Sequence, residues 1–300
     1  MRFSVIVFVF FTSISSFAGP YPVVTKVNPF GSPFYVPNDQ KTHPSIIMLH
    51  GSEGGSEPFI DSEANILATQ GFAVMTYCYF DCGRGLTGPR QTLKDVETTR
   101  ILDVVSWLRS QSQSNGWVAV YGFSRGAELT MIVGSLDTVR ANRPDVLVAH
   151  SPSDVFNEPW NWSWQEPSCW LCRKGISHCP VGSLNSDYQW NPSCGPDDPS
   201  TMPPSKSAWK IAGIDAPAKS RINIEKFINP ILITVGEKDE VWPVDQTRRI
   251  EATLKSAGRH PEVHYFPNEG HVFWGIDEVS RREIVLNFFK ANGSQSKRKN

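Results

Sequence analysis

Gly122-Phe123-Ser124-Arg125-Gly126 is the segment of this sequence whose residue types and spacing most directly suggest chemistry. A serine with glycine two residues to either side suits a very sharp strand-to-helix turn. The turn pushes the hydroxyl out at the sheet edge, and the glycines let the strand and helix backbones nearly touch. The flanks agree: Trp117-Val118-Ala119-Val120-Tyr121 reads as a buried strand, and Ala127, Leu129, Ile132 and Val133 continue as a helix. A helix N-terminus there also favours the negative charge that develops when a serine attacks a carbonyl. The competing reading is a strand-to-helix turn with no chemistry.

A serine nucleophile needs a base, and the base needs an orienting acid. On a turn of this kind the acid follows the serine and the histidine comes last. His178 sits in a cysteine cluster, His264 lies inside a strand run, and His260 precedes Pro261 between a helix and a strand. His271, in Asn268-Glu269-Gly270-His271, falls in a loop just past the last strand, where a base can reach the sheet edge. The acid is sought in Gly236-Glu237-Lys238-Asp239-Glu240, beyond a strand at 231–235. Asp239 competes there with Glu237, Glu240 and Asp245. Acyl transfer also needs N–H donors for the oxyanion, each worth roughly 3–4 kcal/mol. Arg125, the residue after the serine, supplies one. The glycine loop His50-Gly51-Ser52-Glu53-Gly54-Gly55 supplies the other, through Ser52 or Glu53. Chemistry of this kind calls for no metal and no organic cofactor.

Residues so far apart need a scaffold that gathers them. Short apolar runs at 45–49, 72–80, 117–121, 146–149, 231–235 and 263–266 read as buried strands. Helical spacing appears at 59–69, 91–110, after Ser124, around 244–257 and at 277–290, with 91–110 the strongest pattern. The proline-rich residues 20–44 read as an extended lead-in or edge hairpin. Strands alternating with helices predict an α/β fold: a mostly parallel sheet covered on both faces.

The bulk composition is compatible with one large domain. The chain has 300 residues, 40% hydrophobic and 20% charged, with a formal net charge of −1. That near-neutral balance gives no general attraction to nucleic acid or anionic membranes. The basic run Lys297-Arg298-Lys299 lies in a polar tail.

Residues 1–18 carry the marks of a secretory signal: Arg2, the apolar run Val5–Phe11, and small residues Ser16 and Ala18 ahead of Gly19. The run is too short to span a bilayer, which takes ~20 apolar residues. Domain organisation is therefore read as a signal at 1–18 and a catalytic domain at 19–300, secreted or periplasmic. Six cysteines fit export and disulfides. Locality pairs Cys78 with Cys82 and leaves Cys169, Cys172, Cys179 and Cys194 to pair among themselves, without fixing the connectivity. A zinc site with His178, or a redox pair at Cys169 and Cys172, are alternatives for that cluster.

Together, the glycine loop 50–55, Gly122–Gly126 with Ala127-Glu128-Leu129, Ser151-Pro152-Ser153, Gly236–Pro243 and Gly270-His271 resemble the α/β-hydrolase superfamily. They look closest to its dienelactone hydrolase branch and to the catalytic domain of acyl-CoA thioesterases and bile-acid acyltransferases. The resemblance implies an α/β-hydrolase fold and the triad Ser124, Asp239 and His271; its spacing is what selects Asp239 among the acids. Two departures turn the expectation towards carboxylic esters. The thioesterase branch often carries a cysteine nucleophile, and it has a preceding β-sandwich for which there is no room before the first core strand.

The resemblance also implies that the irregular stretch at about 153–225 caps the active site. That stretch holds six of the ten tryptophans and four of the six cysteines. Its aromatics either line a substrate pocket or form the cap's own small core. The partner is then a small-molecule ester. A thioesterase, acyltransferase or peptidase on the same scaffold is the runner-up, and a non-catalytic binding protein is the reading from another class.

Overall fold

The computed structural model of the protein describes residues 19–55, 58–83, 90–137, 142–177, 187–195, 197–202 and 205–293. The signal-like segment, His178, Cys179 and the basic tail lie outside the described residues.

Eight strands build the central sheet: β1 (Val23–Lys26), β2 (Phe34–Pro37), β3 (His43–Leu49), β4 (Ala73–Tyr77), β5 (Ser114–Phe123), β6 (Val146–His150), β7 (Ile231–Gly236) and β8 (Glu262–Phe266). Their order across the sheet is β1-β2-β4-β3-β5-β6-β7-β8. The lead-in forms the expected edge hairpin, with β1 antiparallel to β2 and β2 antiparallel to β4. Every other pairing is parallel.

Among the described residues, five helices cover the sheet: α1 (Phe59–Thr69), α2 (Arg100–Ser110), α3 (Arg125–Ser135), α4 (Asp245–Ser256) and α5 (Gly275–Gly293). Alternation along the strands sends apolar side chains to two separate cores. Ile47 and Leu49 face a core built with α2, α3 and α4, while Ile46 and Met48 face one built with α1 and α5. Both sets are buried, which explains why these strands read as continuous apolar runs.

The parallel register brings the strand ends into line. Leu49 is level with Gly122, Phe123 with His150, Thr234 with His150, and Gly236 with Phe266. The loops that follow therefore leave the sheet along one rim, which is where functional groups collect in open α/β sheets.

One expected element is corrected. The helix read over 91–110 begins only at Arg100. Ahead of it the backbone of Leu93 exchanges hydrogen bonds with Trp160 at 2.8 and 3.1 Å, and Val96–Glu97 forms a short strand parallel to Trp209–Lys210. Asp95 is left-handed, with φ of 54°. The apolar residues at 93 and 96 are thus buried by strand pairing with the insertion and not by a helix face.

Within the insertion, short 3-10 turns alternate with two small hairpins, Trp170–Cys172 with Tyr188–Trp190 and Lys206–Ile211 with Ile214–Pro217. The second half merges with the main core: Ala208, Trp209, Ala216, Ile222 and Phe227 belong to the same buried cluster as α2 and α3. Cys78 is bonded to Cys82 and Cys169 to Cys194. Cys172 is also in a disulfide, so neither zinc nor a free dithiol accounts for the cysteines among the described residues.

Candidate active site

β5 runs straight into α3, and Ser124 is the single residue between them. Its backbone has φ 51° and ψ −118°, a strained conformation for a residue with a side chain. The glycines permit it. A Cβ on Gly122 would stand 2.0 Å from the carbonyl oxygen of Gly126, and one on Gly126 would stand 2.3 Å from that of Leu49. The Ser124 amide is tied to the carbonyl of His150, at 3.0 Å. Beneath it, the buried guanidinium of Arg281 lies 5.2 Å over the Phe123 ring and bonds Tyr121, Glu63 and Glu278.

Three sequence candidates meet at this rim. His271 Nε2 lies 2.8 Å from Ser124 Oγ, and His271 Nδ1 lies 3.0 and 2.9 Å from the two carboxylate oxygens of Asp239. Asp239 Oδ1 also accepts the N–H groups of Val241 and Trp242, each at 2.9 Å. Burial alone would raise the pKa of this carboxyl. The hydrogen bond and charge of His271, with the two N–H groups, outweigh burial and hold it below 3.8. Asp239 is accordingly an anion that fixes a proton on Nδ1 and leaves Nε2 to accept from the serine hydroxyl. The serine itself is only half-buried.

The rejected acids have other partners. Glu240 accepts the backbone N–H of His271 at 3.0 Å. Glu237 and Asp245 both pair with Arg248, at 3.4 and 2.9 Å. His264 bonds Glu262 at 2.8 Å, and His260 lies beside a cavity next to Glu262 and Asn292, on α5.

His150, absent from the sequence candidates, ends β6 at the heart of the site. Its carbonyl holds Ser124, and its Nδ1 lies 3.0 Å from Thr234 Oγ1. Phe273 packs edge-on against it at 4.6 Å. Burial, then the charges of Arg281 and His271, push its pKa well below 6.5. It is a neutral spacer between the strands that carry the serine and the acid.

The oxyanion candidates face the same place. Arg125 opens α3, so its N–H has no partner within the helix. Gly51 lies against the serine: a Cβ added to it would be 3.2 Å from Ser124 Cβ. His50 Nδ1 lies 2.9 Å from the Gly51 carbonyl, and the ring stacks on Tyr79 at 4.2 Å. Burial, partly opposed by that carbonyl, brings the His50 pKa down to about 4, so the ring is neutral and donates. Glu53 Oε1 accepts the Gly51 N–H at 2.7 Å. The Ser52 N–H has no acceptor among the described residues.

The insertion is fastened to this centre through Arg125 and Glu128. Arg125 bonds Glu128 at 2.9 Å and the Glu158 carbonyl at 3.0 Å, and lies 5.9 Å over Trp242, whose ring packs edge-on against His271. Glu128, fully buried, also accepts from the Asn157 amide and the Trp209 indole. Residues such as His150 and Glu128 could have been found only by asking which polar groups lie on otherwise apolar strands and helices.

Comparison with known proteins bears on the family and the fold. Residues 16–167, just over half the chain, match the X-Pro dipeptidyl-peptidase (S15) family, and residues 201–295 match the prolyl oligopeptidase family. Acyl-coenzyme A thioesterase 1 of Rattus norvegicus is 24% identical over 248 residues, covering 79% of this chain and 50% of the relative. The chain thus spans about half the length of the curated relatives it matches. A putative dienelactone hydrolase from Klebsiella pneumoniae superposes with a TM-score of 0.55 at 14% identity, covering 90% of this chain and 99% of the other. A truncated carbohydrate esterase from gut microbiota gives 0.57 at 15% identity, covering 92% and 98%. The structural likenesses establish the fold.

Proposed function

The chain belongs to the X-Pro dipeptidyl-peptidase (S15) family within the α/β-hydrolase superfamily of serine hydrolases, and from that premise we propose that it hydrolyses carboxylic esters through an acyl-enzyme on Ser124. The observation that carries the reading is the continuous hydrogen-bonded chain from Ser124 through His271 to Asp239. His271 takes the serine proton as the hydroxyl attacks the acyl carbon, and Asp239 stabilises the imidazolium. N–H groups of Arg125 and of the Ser52–Glu53 segment hold the oxyanion. His271 then protonates the departing alcohol, and a water attacks the acyl-enzyme by the same route in reverse.

A second reading, peptide hydrolysis, is favoured by the two peptidase-family matches. Thioester hydrolysis is favoured by the curated relatives. A panel of p-nitrophenyl acetate, butyrate and decanoate beside acyl-CoA and an X-Pro p-nitroanilide separates the three. The ester reading expects turnover of the p-nitrophenyl esters that disappears in Ser124→Ala. Turnover of the anilide alone would replace it with the peptidase reading.

The disulfides Cys78–Cys82 and Cys169–Cys194 and the absence, among the described residues, of a helix long and apolar enough to cross a membrane are compatible with export. Cleavage ahead of Gly19 is part of the proposal. N-terminal sequencing of exported protein tests it; a mature chain still carrying Arg2 would refute it.

A further inference from the structure

The insertion reaches the oxyanion loop through one tryptophan. Trp162 Nε1 donates to the Ser52 carbonyl at 2.8 Å. That carbonyl shares its peptide plane with the Glu53 N–H, so the bond sets where the N–H points. Arg90 Nη1 donates to the next carbonyl, that of Glu53, at 3.3 Å, and its guanidinium lies 5.4 Å over the Trp162 ring. The preceding carbonyl, of Gly51, is the one held by His50. Three successive peptide planes are therefore held, two of them from outside the loop, and Trp162 serves both of those: one directly and one by supporting Arg90.

Trp162 is itself rigidly mounted. Trp160 packs edge-on against it at 4.6 Å, and the Trp160 backbone is paired with Leu93. Asn161, between them and buried, donates to Thr92 Oγ1 at 2.8 Å and accepts the Ser163 amide. The indole is thus anchored to the same segment that the insertion pulled out of the expected helix.

We propose that Trp162 is a positioning residue that latches the insertion onto the oxyanion loop, so that the insertion sustains turnover. The latch rests on the serine-hydrolase reading above. The loop's own side-chain bonds, from His50 and Glu53, both end on Gly51, and the Ser52 and Glu53 carbonyls are held by Trp162 and Arg90. The loop's donors stabilise a transition state only when already aimed, because reorienting them during the reaction spends the gain. The latch therefore acts on the tetrahedral state and leaves ground-state binding of a small ester alone.

The test compares Trp162→Phe, Trp162→Ala and Trp164→Phe. Trp164→Phe removes a similar indole bond, 3.2 Å to the Asp197 carbonyl, inside the insertion and off the loop. Each is assayed for kcat and KM on p-nitrophenyl acetate, for inhibition by a trifluoromethyl ketone that forms a tetrahedral adduct, and for Tm. A partly exposed hydrogen bond predicts that Trp162→Phe loses about fivefold in kcat with KM within about twofold, and that the ketone weakens by the same factor. Trp162→Ala loses more, since Arg90 also loses its platform, while Trp164→Phe stays within about twofold of the parent. Parent-like kcat in Trp162→Phe, an equal loss in Trp164→Phe, or an unmoved ketone constant alongside a reduced kcat would each overturn the latch. A parent enzyme that neither turns over the ester nor binds the ketone would instead refute the serine-hydrolase reading, and the latch with it.

Discussion

Replacing Asp239 by Asn should disable the enzyme by reversing a tautomer, and the structure dictates how. Oδ1 accepts two backbone N–H groups, from Val241 and Trp242, each at 2.9 Å. An asparagine must keep its oxygen there, because turning the amide would set an NH2 against two donors and cost roughly 1–3 kcal/mol for each group left unsatisfied. Its NH2 then occupies the Oδ2 position, 2.9 Å from His271 Nδ1. Nδ1 becomes an acceptor and the ring proton moves to Nε2, 2.8 Å from Ser124 Oγ. A protonated Nε2 cannot take the serine proton. The expected loss in kcat is about 10⁴-fold, or ~5.5 kcal/mol of transition-state stabilisation.

The same variant changes stability in a pH-dependent way. The Asp239 pKa is held below 3.8 in the folded protein, so the carboxylate stabilises the fold above that pH, and the benefit is lost as pH falls through the folded value. Asp239→Asn should be less stable than the parent at pH 7 and equal to it in strong acid. Steady-state kinetics on p-nitrophenyl acetate and urea unfolding followed from pH 7 into strong acid measure both effects. A natively folded variant within about tenfold of parental kcat would refute the assignment of the acid.

Three further outcomes follow from the geometry. Gly126→Ala places a methyl group 2.3 Å from the Leu49 carbonyl oxygen, and overpacking against backbone should cost about 2 kcal/mol or more and displace the serine; parental Tm with parental fluorophosphonate labelling would contradict it. Glu128→Ala strips a buried carboxylate from Arg125, the Asn157 amide and the Trp209 indole, and should destabilise by about 3–5 kcal/mol in chemical denaturation; a change under about 1 kcal/mol would show that these groups find other partners. His50, with its pKa lowered from 6.5 to about 4, is neutral in the folded state and titrates more readily when unfolded. Stability present above pH 6.5 should therefore fall by roughly 3 kcal/mol as pH drops towards 4, and His50→Gln should remove that share of the slope; an unchanged slope would argue that the ring is not buried neutral.

What could be read from the sequence was what the chain encodes locally. The strands at 45–49 and 231–235 announce themselves because both faces are buried and all but one residue in each, Ser45 and Thr234, is apolar. The Gly-x-Ser-x-Gly turn does so because only glycine fits at 122 and 126. His271 was reachable by elimination from its loop position, whereas Asp239 needed the resemblance: neighbouring carboxylates differ only in which way they face. The helix over 91–110 failed because Leu93 and Val96 satisfy helical spacing equally well when buried by strand pairing with residues 160 and 209. The partners of Trp162 and Glu128 could not be read locally for a related reason. Those partners, Ser52 and Trp209, lie 110 and 81 residues away, and nothing in local periodicity records a hydrogen bond across that distance. Seen alone, His150 is one polar residue closing the apolar run Val146–Ala149, and only the register that aligns it with Phe123 and Thr234 reveals its position.

The claim beneath all of this is covalent chemistry at one hydroxyl. Mature protein mixed with a slowly deacylating p-nitrophenyl ester, quenched in acid within the first turnover and mapped by peptide mass spectrometry tests it directly. The account predicts one acyl group per chain, on the peptide containing Ser124, absent in Ser124→Ala and hardly formed in His271→Ala. Turnover with no acylated peptide, or an acyl group carried by another residue with Ser124 unmodified, would contradict it.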